Sequence, residues 1–343
     1  MIPRALVRYL LAVALICIGT RMFAQVSAYY LSPIGPIGPT NDQLPLAINQ
    51  AGEVVGTNSS GHAFVFSLSA GTKIIGATGT SARAINDSGQ IAMQVANHAQ
   101  IFTRSTGQLT DLGTLGGLAS SPSAINSSGV VVGQSQDRTG QYFPFMFNGG
   151  PMFSLGSFGG SLPSCNAAGV NISGEAVGTC FIPAGYFRAF YVLKGFKDFD
   201  PSHISYSSEA TGINDSGVAV GTSTAVRCSQ YSLNLCDGQV WRPAIFFPNG
   251  TIQVLGTLGL AYGINNLGDI VGYSGAHGFI YTNGKLYDLN NWSFRDTSNN
   301  PLTGWVVESA EAINDSGQIV GKAFDPSGTL QIVLLTPVKF IVP

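Results

Sequence analysis

The chain has 343 residues, a formal net charge of −2 and only 10% charged residues. With no basic stripe anywhere, that balance excludes a nucleic-acid partner. Scarce Lys, Glu and Arg beside 44 glycines argue for short strands and tight turns rather than helices.

Residues 1–28 read as a signal peptide. Arg4 and Arg8 form a positive start, and Leu10 to Ile18 is an apolar run too short to span a bilayer. Val26-Ser27-Ala28 offers cleavage after Ala28, with cleavage after Ala24 as the alternative. Beyond it no run of 18 apolar residues occurs. The mature chain is therefore expected to carry no membrane span and to be secreted, extracellular or periplasmic.

Residues 29–343 hold one sequence unit seven times, read first as a turn. Ile or Val precedes Asn49, Asn86, Asn126, Asn171, Asn214, Asn265 and Asn314. Three residues on stand Gly52, Gly89, Gly129, Gly174, Gly217, Gly268 and Gly317. Asn can cap such a turn through its side chain, and Gly supplies the positive φ that closes it. Each unit reads as four strands. Strand a is short and rich in small residues, as in Ser81 to Ile85. Strand b is apolar and ends at a second Gly, as in Val130 to Gly133; only the second unit departs, with Met93. Strand c is typified by His62-Ala63-Phe64-Val65-Phe66. Strand d often ends in Leu-Gly, as at Leu112-Gly113.

A four-strand unit of this period predicts an all-β, seven-bladed β-propeller with four antiparallel strands per blade. The seventh unit lacks its own strand d, and a d-like segment, Tyr29 to Gly35, stands at the start. The N-terminal strand is expected to complete the last blade, leaving no open edge. A linear solenoid or repeated sandwich is the alternative, but it has no need of that exchange.

Four cysteines follow the leader, an even number that suggests disulfides in an exported chain. Counting six residues outward from a paired Asn171 and Gly174 sets Cys165 opposite Cys180. Cys228 and Cys236 lie in one insertion and are expected to close a small loop.

The combination of Ala-x-x-Ile-Asn-x-x-Gly-x-Val-Val-Gly, His-Ala-Phe and Leu112-Gly113-Thr114-Leu115-Gly116-Gly117 resembles the HAF-repeat family of bacterial extracellular proteins. The segment from Asp288 through Trp305 to Gly321 resembles the usual last repeat of such proteins. The likeness covers residues 29–337, although the third, fourth, fifth and seventh units lack the His. It implies an extracellular repeat protein and no particular activity.

No metalloprotease, nucleophile-elbow, phosphate-loop or Cys-x-x-Cys motif occurs. The sequence implies no cofactor, no metal site and no catalytic residue. His62, His98 and His277 fall at equivalent positions far from one another, and each is expected to bond a nearby loop carbonyl. Asp87, Asp215 and Asp315 read as solvated turn residues, since a calcium site needs several oxygens together.

The b–c and d–a insertions all fall on one end of the expected propeller. They carry Tyr142, Tyr186, Tyr231, Trp241, Trp292 and Trp305, which are the candidate ligand-binding residues, since amphipathic aromatics commonly anchor ligands on loops. The favoured reading is a monomeric, non-catalytic propeller binding a carbohydrate, cell-wall component or protein there. A glycan hydrolase or lyase is the alternative, with Glu209, Asp237, Asp296 and Glu308 its only acidic candidates. A surface-structural repeat protein is the third.

Overall fold

The computed structural model describes residues 28–338 except 38–45, 160–163, 194, 202–204, 206, 226–239 and 257. Residues 1–27 of the expected leader, Tyr231, Asp237 and the Cys228–Cys236 pair lie outside the described residues. Ala28 lies inside the fold: it opens the first strand, is buried, and accepts a hydrogen bond from the Val338 amide.

The described chain is all-β, without an α-helix; a single 3-10 turn spans Leu289–Asn291. Seven antiparallel groups follow the repeat. The first runs Ala47–Ile48, Val54–Thr57, His62–Ser67 and Gly71–Thr78, paired in chain order. The second, fifth and sixth units form their own four-stranded sheets in the same order. The third and fourth are joined by one parallel pair, Tyr142 with Ser164. In the seventh unit the strands are Val306–Ile313, Ile319–Phe324 and Leu330–Pro337. The fourth place is taken by the N-terminal strand Ala28–Pro36, antiparallel to Leu330–Pro337.

The N-terminal strand is not left at an edge. Ser293–Arg295 pairs with it in parallel, and Pro301–Leu302 pairs with Ser293–Arg295 in turn. This extra hairpin lies in the last d–a insertion. Seven apolar clusters each join one unit to the next. One of them packs Val320, Ile332 and Leu334 of the seventh unit against Val54, Phe64 and Phe66 of the first.

The repeated asparagine explains how units are held in step. In each turn its Oδ1 accepts the amide four residues on, for example Val130 at 2.9 Å from Asn126. Its Nδ2 reaches out of the unit. Asn49 donates to the Asn86 carbonyl, Asn86 to Asn126, and Asn126 to Asn171. Asn171 donates to Asn214, Asn214 to Asn265, and Asn265 to Asn314. Asn314 donates to the carbonyl of Asn49 at 3.0 Å. All seven side chains are buried, so each bond is protected from competing water.

Packing accounts for the second Gly. A Cβ at Gly178 would stand 2.0 Å from the Asn166 carbonyl of strand a and 2.7 Å from the Phe190 ring of strand c. Phe190 is the cross-strand partner of that glycine, as Phe64 is of Gly56. The His-Ala-Phe and Gly motifs are thus two halves of one contact, an aromatic ring laid over a glycine.

Cys165 and Cys180 pair across strands a and b and are disulfide-bonded, with Cα atoms 4.0 Å apart. The turn sets Asn171 opposite Glu175 rather than Gly174. A bulge at Ala168 then takes back the one-residue offset, so the simple count reaches the right pair.

Asn126→Ala should destabilise the fold by roughly 2–3 kcal/mol, because it removes both the turn cap and the bond to the next unit. Asn126→Asp keeps the acceptor and loses only the donor, so a loss of roughly 1–2 kcal/mol is expected. Urea unfolding of the two variants measures the difference; equal losses would mean the inter-unit bond contributes nothing.

Candidate functional site

Strands a of neighbouring units contact one another in succession, and strand a of the seventh unit also contacts that of the first. The residues two before each Asn are Ala or Gly throughout, from Ala47 to Ala312. Space explains it: a Cβ on Gly263 would meet Ala312 of the next strand a at 3.2 Å. Residues four before, such as Ala167, Ala210 and Ala261, are fully buried.

The intervening positions differ. In units two to seven a bulge leaves the residue three before Asn without a cross-strand partner: Arg83, Ser123, Ala168, Thr211, Tyr262 and Glu311. These six are half-buried, as are Ser121, Asn166 and Glu209 five before Asn. Both neighbouring positions are packed, so these two positions of strand a are the ones the repeat leaves free.

Their side chains form a polar network. Arg83 Nη2 donates to Gln94 Oε1 at 2.9 Å, and Ser121 Oγ donates to the same oxygen at 3.3 Å. Ser123 Oγ donates to Asn166 Oδ1 at 3.1 Å, and Thr211 Oγ1 to the Ala261 carbonyl at 2.9 Å. The Tyr262 and Tyr273 rings lie 6.0 Å apart. Lys322 Nζ pairs with Glu311 Oε1 at 3.1 Å. Burial pushes the Glu209 carboxyl above the usual carboxylate range and lowers the Arg83 guanidinium. Burial also raises the Tyr262 hydroxyl, helped by the charges of Glu311 and Glu308 and by Tyr273.

The aromatic candidates do not gather into one site. Trp292 stacks on Tyr29 with ring centroids 5.3 Å apart, and with Trp305 packs against the core between the sixth and seventh units. Both hold down the last insertion and the N-terminal strand. Trp241 lies beside Phe187, with centroids 6.4 Å apart, and Phe187 beside the exposed Phe181. Tyr186 covers the Arg188 guanidinium at 4.9 Å. Tyr142 is half-buried opposite Gln136. Phe181, Phe187 and Trp241 group between the fourth and fifth units, while Tyr142 stands apart in the third.

Other sequence candidates have local duties. His98 and His277 bond the carboxylates of Asp111 and Asp288, at the end of strand d, rather than loop carbonyls. His62 bonds the Thr78 hydroxyl. Asp87, Asp215 and Asp315 accept amides of Gln50, Ile172 and Asn266 in the neighbouring unit, so these surface turn residues also reinforce the asparagine circuit. Asp296 caps its own turn through Ser298 and Asn300. Of the acidic candidates, Glu209 and Glu308 belong to strands a, and Glu308 acts electrostatically on Tyr262. Among the described residues no cluster of three metal-ligating side chains occurs. An open groove of about 660 Å³ lies between the first and second units, lined by Glu53, Asp87, Phe102 and Arg104, at the opposite end from the loops.

Arg83, Ser121, Ser123, Asn166, Tyr262 and Glu311 were not singled out from sequence. The available signal was contrast inside the repeat. Positions two and four before Asn hold only Ala, Gly or Pro, while positions three and five vary from Ala to Arg and Glu.

No protein-family model and no curated protein matches the chain. Solved structures do share its fold. The extracellular domain of BT4673 from B. thetaiotaomicron superposes with a TM-score of 0.56 at 12% identity, covering 90% of this chain and 40% of that one. Acylaminoacyl peptidase from Pyrococcus horikoshii gives 0.51 at 12% identity, covering 91% and 52%. The chain thus spans about half or less of these structures. The likeness is one of all-β, propeller-like architecture alone.

Because the folded state holds Glu209 protonated more readily than the unfolded chain, its contribution to stability is full at low pH. That contribution is lost as pH rises from the ordinary carboxylate range through the raised value. Glu209→Gln should therefore melt higher than the parent at pH 7 and at the same temperature at pH 4. A melting difference independent of pH would show that Glu209 is not held in a desolvated place.

Proposed function

We propose that the chain is an exported, seven-bladed β-propeller closed by its N-terminal strand. We further propose that it is a non-catalytic binding protein whose ligand site is the axial mouth at the loop-bearing end. The observation that carries the binding site is the set of half-buried polar side chains on successive strands a, in a protein with only 10% charged residues. Structures usually place such a set of hydrogen-bonding groups in a cleft to orient a ligand.

Closure is supported by the seventh-to-first core cluster, the Asn314 to Asn49 bond and the strand exchange. Export is supported by the leader-like first residues and by the Cys165–Cys180 disulfide, which suits an oxidising compartment. The extracellular-domain neighbour agrees with that, as does the resemblance to HAF repeats. The lining favours a small polar ligand; the exposed Phe181 with Phe187 and Trp241 can extend the contact on the rim. A glycan hydrolase is a second reading, favoured by one observation: Glu209 has the raised carboxyl that a general acid needs.

A thermal-shift panel of saccharides, cell-wall fragments and short peptides tests the site. A ligand at 100 times its Kd should stabilise the protein by about 2.7 kcal/mol. Asn166→Ala and Tyr262→Ala should abolish the shift, and Trp241→Ala should leave most of it. A shift lost only with Trp241→Ala would move the site to the rim. Release of new reducing ends that depends on Glu209 would establish the enzyme reading instead.

A further inference from the structure

Several charges that the fold partly buries are matched. Arg104 meets Glu53, Lys322 meets Glu311, and Arg188 meets Asp200. Among the described residues Arg83, Arg242, Arg295, Glu209 and Glu308 make no ion pair, and of these Arg83, Glu209 and Glu308 lie on strands a. Arg83 is half-buried with one bond to the neutral Gln94, and its Nε is buried without a partner. Glu209 is half-buried, burial raises its carboxyl, and it makes no ion pair among the described residues. Thr222, the cross-strand partner of Glu209, is fully buried, and its hydroxyl is likewise unsatisfied. Leaving opposite charges desolvated and apart is costly, and proteins keep such arrangements where something else completes them.

On the axial reading, strand register brings the two groups to one level. Glu209 is five residues before its Asn. Arg83 reaches the same level through Gln94, the partner of Ser81, which is also five before. They belong to the second and fifth units, three steps round a ring of seven, and so face each other across the axis. Between them on one side stand Ser121, Ser123 and Asn166, which are neutral and hydrogen-bonding. On the other side, next to Glu209, stand the Tyr262 and Tyr273 rings and Glu308.

Resting on the axial-site reading above, we infer that the ligand is a small zwitterion: an amino acid or short peptide with both ends free. Its carboxylate pairs with Arg83, a bidentate geometry that guanidinium suits. Its ammonium takes Glu209 and the tyrosine faces, which attract a cation. A neutral sugar would leave both charges unmatched. A polyanion would meet Glu209, Glu308 and Glu311 together.

Calorimetry on the full mature chain tests this with four probes: L-alanyl-L-alanine, its N-acetyl form, its C-terminal amide, and the neutral disaccharide cellobiose. The free dipeptide should bind at least tenfold more tightly than either blocked form. Arg83→Gln should erase the preference for the free dipeptide over its amide. Glu209→Gln should erase the preference over the acetylated form. Without ligand, Arg83→Gln should melt no lower than the parent; a lower melting temperature would mean that Arg83 is a structural partner of Gln94. Equal binding of free and blocked dipeptides overturns the inference. So does cellobiose binding, abolished by Asn166→Ala, with no dipeptide binding; the axial site would then stand with a different ligand class. Dipeptide binding that no axial variant affects would overturn the axial site itself.

Discussion

The structure depends on a turn that uses one side chain twice. The carboxamide oxygen of each repeated Asn closes its own a–b turn, and the nitrogen bonds the backbone of the next unit's turn. Aspartate could do the first and not the second; serine could reach only its own turn. The requirement for both explains why the residue never varies among seven units whose spacing runs from 37 to 51 residues. Loops can lengthen freely because the register between units is set at the opposite end of the strands.

That constraint propagates outward. Turns linked carbonyl to carboxamide bring successive strands a close together, and close strands leave room only for Ala or Gly two residues before the Asn. The strand then needs a bulge to present any larger side chain. The scaffold is repeated, but the residue at the bulge is not. Arg83, Ser123, Ala168, Thr211, Tyr262 and Glu311 occupy one position in six units and share no chemistry. Repetition gives stability and the free position gives the chain its individual character. The cost falls on desolvated groups such as Arg83 and Glu209, as expected where a local rule is broken for function.

The turn, the four-strand unit and the strand exchange were legible in the sequence because each rests on periodic residues with a local physical role. The Cys165–Cys180 pair was legible through two offsetting features, a four-residue turn register and a bulge at Ala168. The bulge is marked only by contrast, a variable position between two invariably small ones, and so the strand a set went unseen. For two of the aromatic candidates the structure shows a packing role that composition did not. Trp292 and Trp305 are amphipathic and sit in an insertion, as binding residues do. That insertion, however, supplies a hairpin that must be packed down over the N-terminal strand. Composition of a loop does not say which side of the loop is wet. Asp87 and Asp215 are exposed, as expected of solvated turn residues; their bonds to the neighbouring unit were not legible because the partners lie far away in sequence.

The central claim is that seven units close into a ring rather than stack in a line. Small-angle X-ray scattering from the mature chain tests it most directly. A closed ring of this length should have a radius of gyration of about 20 Å, as for any compact domain of its size. A clearly larger radius, with a long tail in the pair-distance distribution, would mean an open stack. The Asn314 to Asn49 bond, and the axial site built on it, would then not exist.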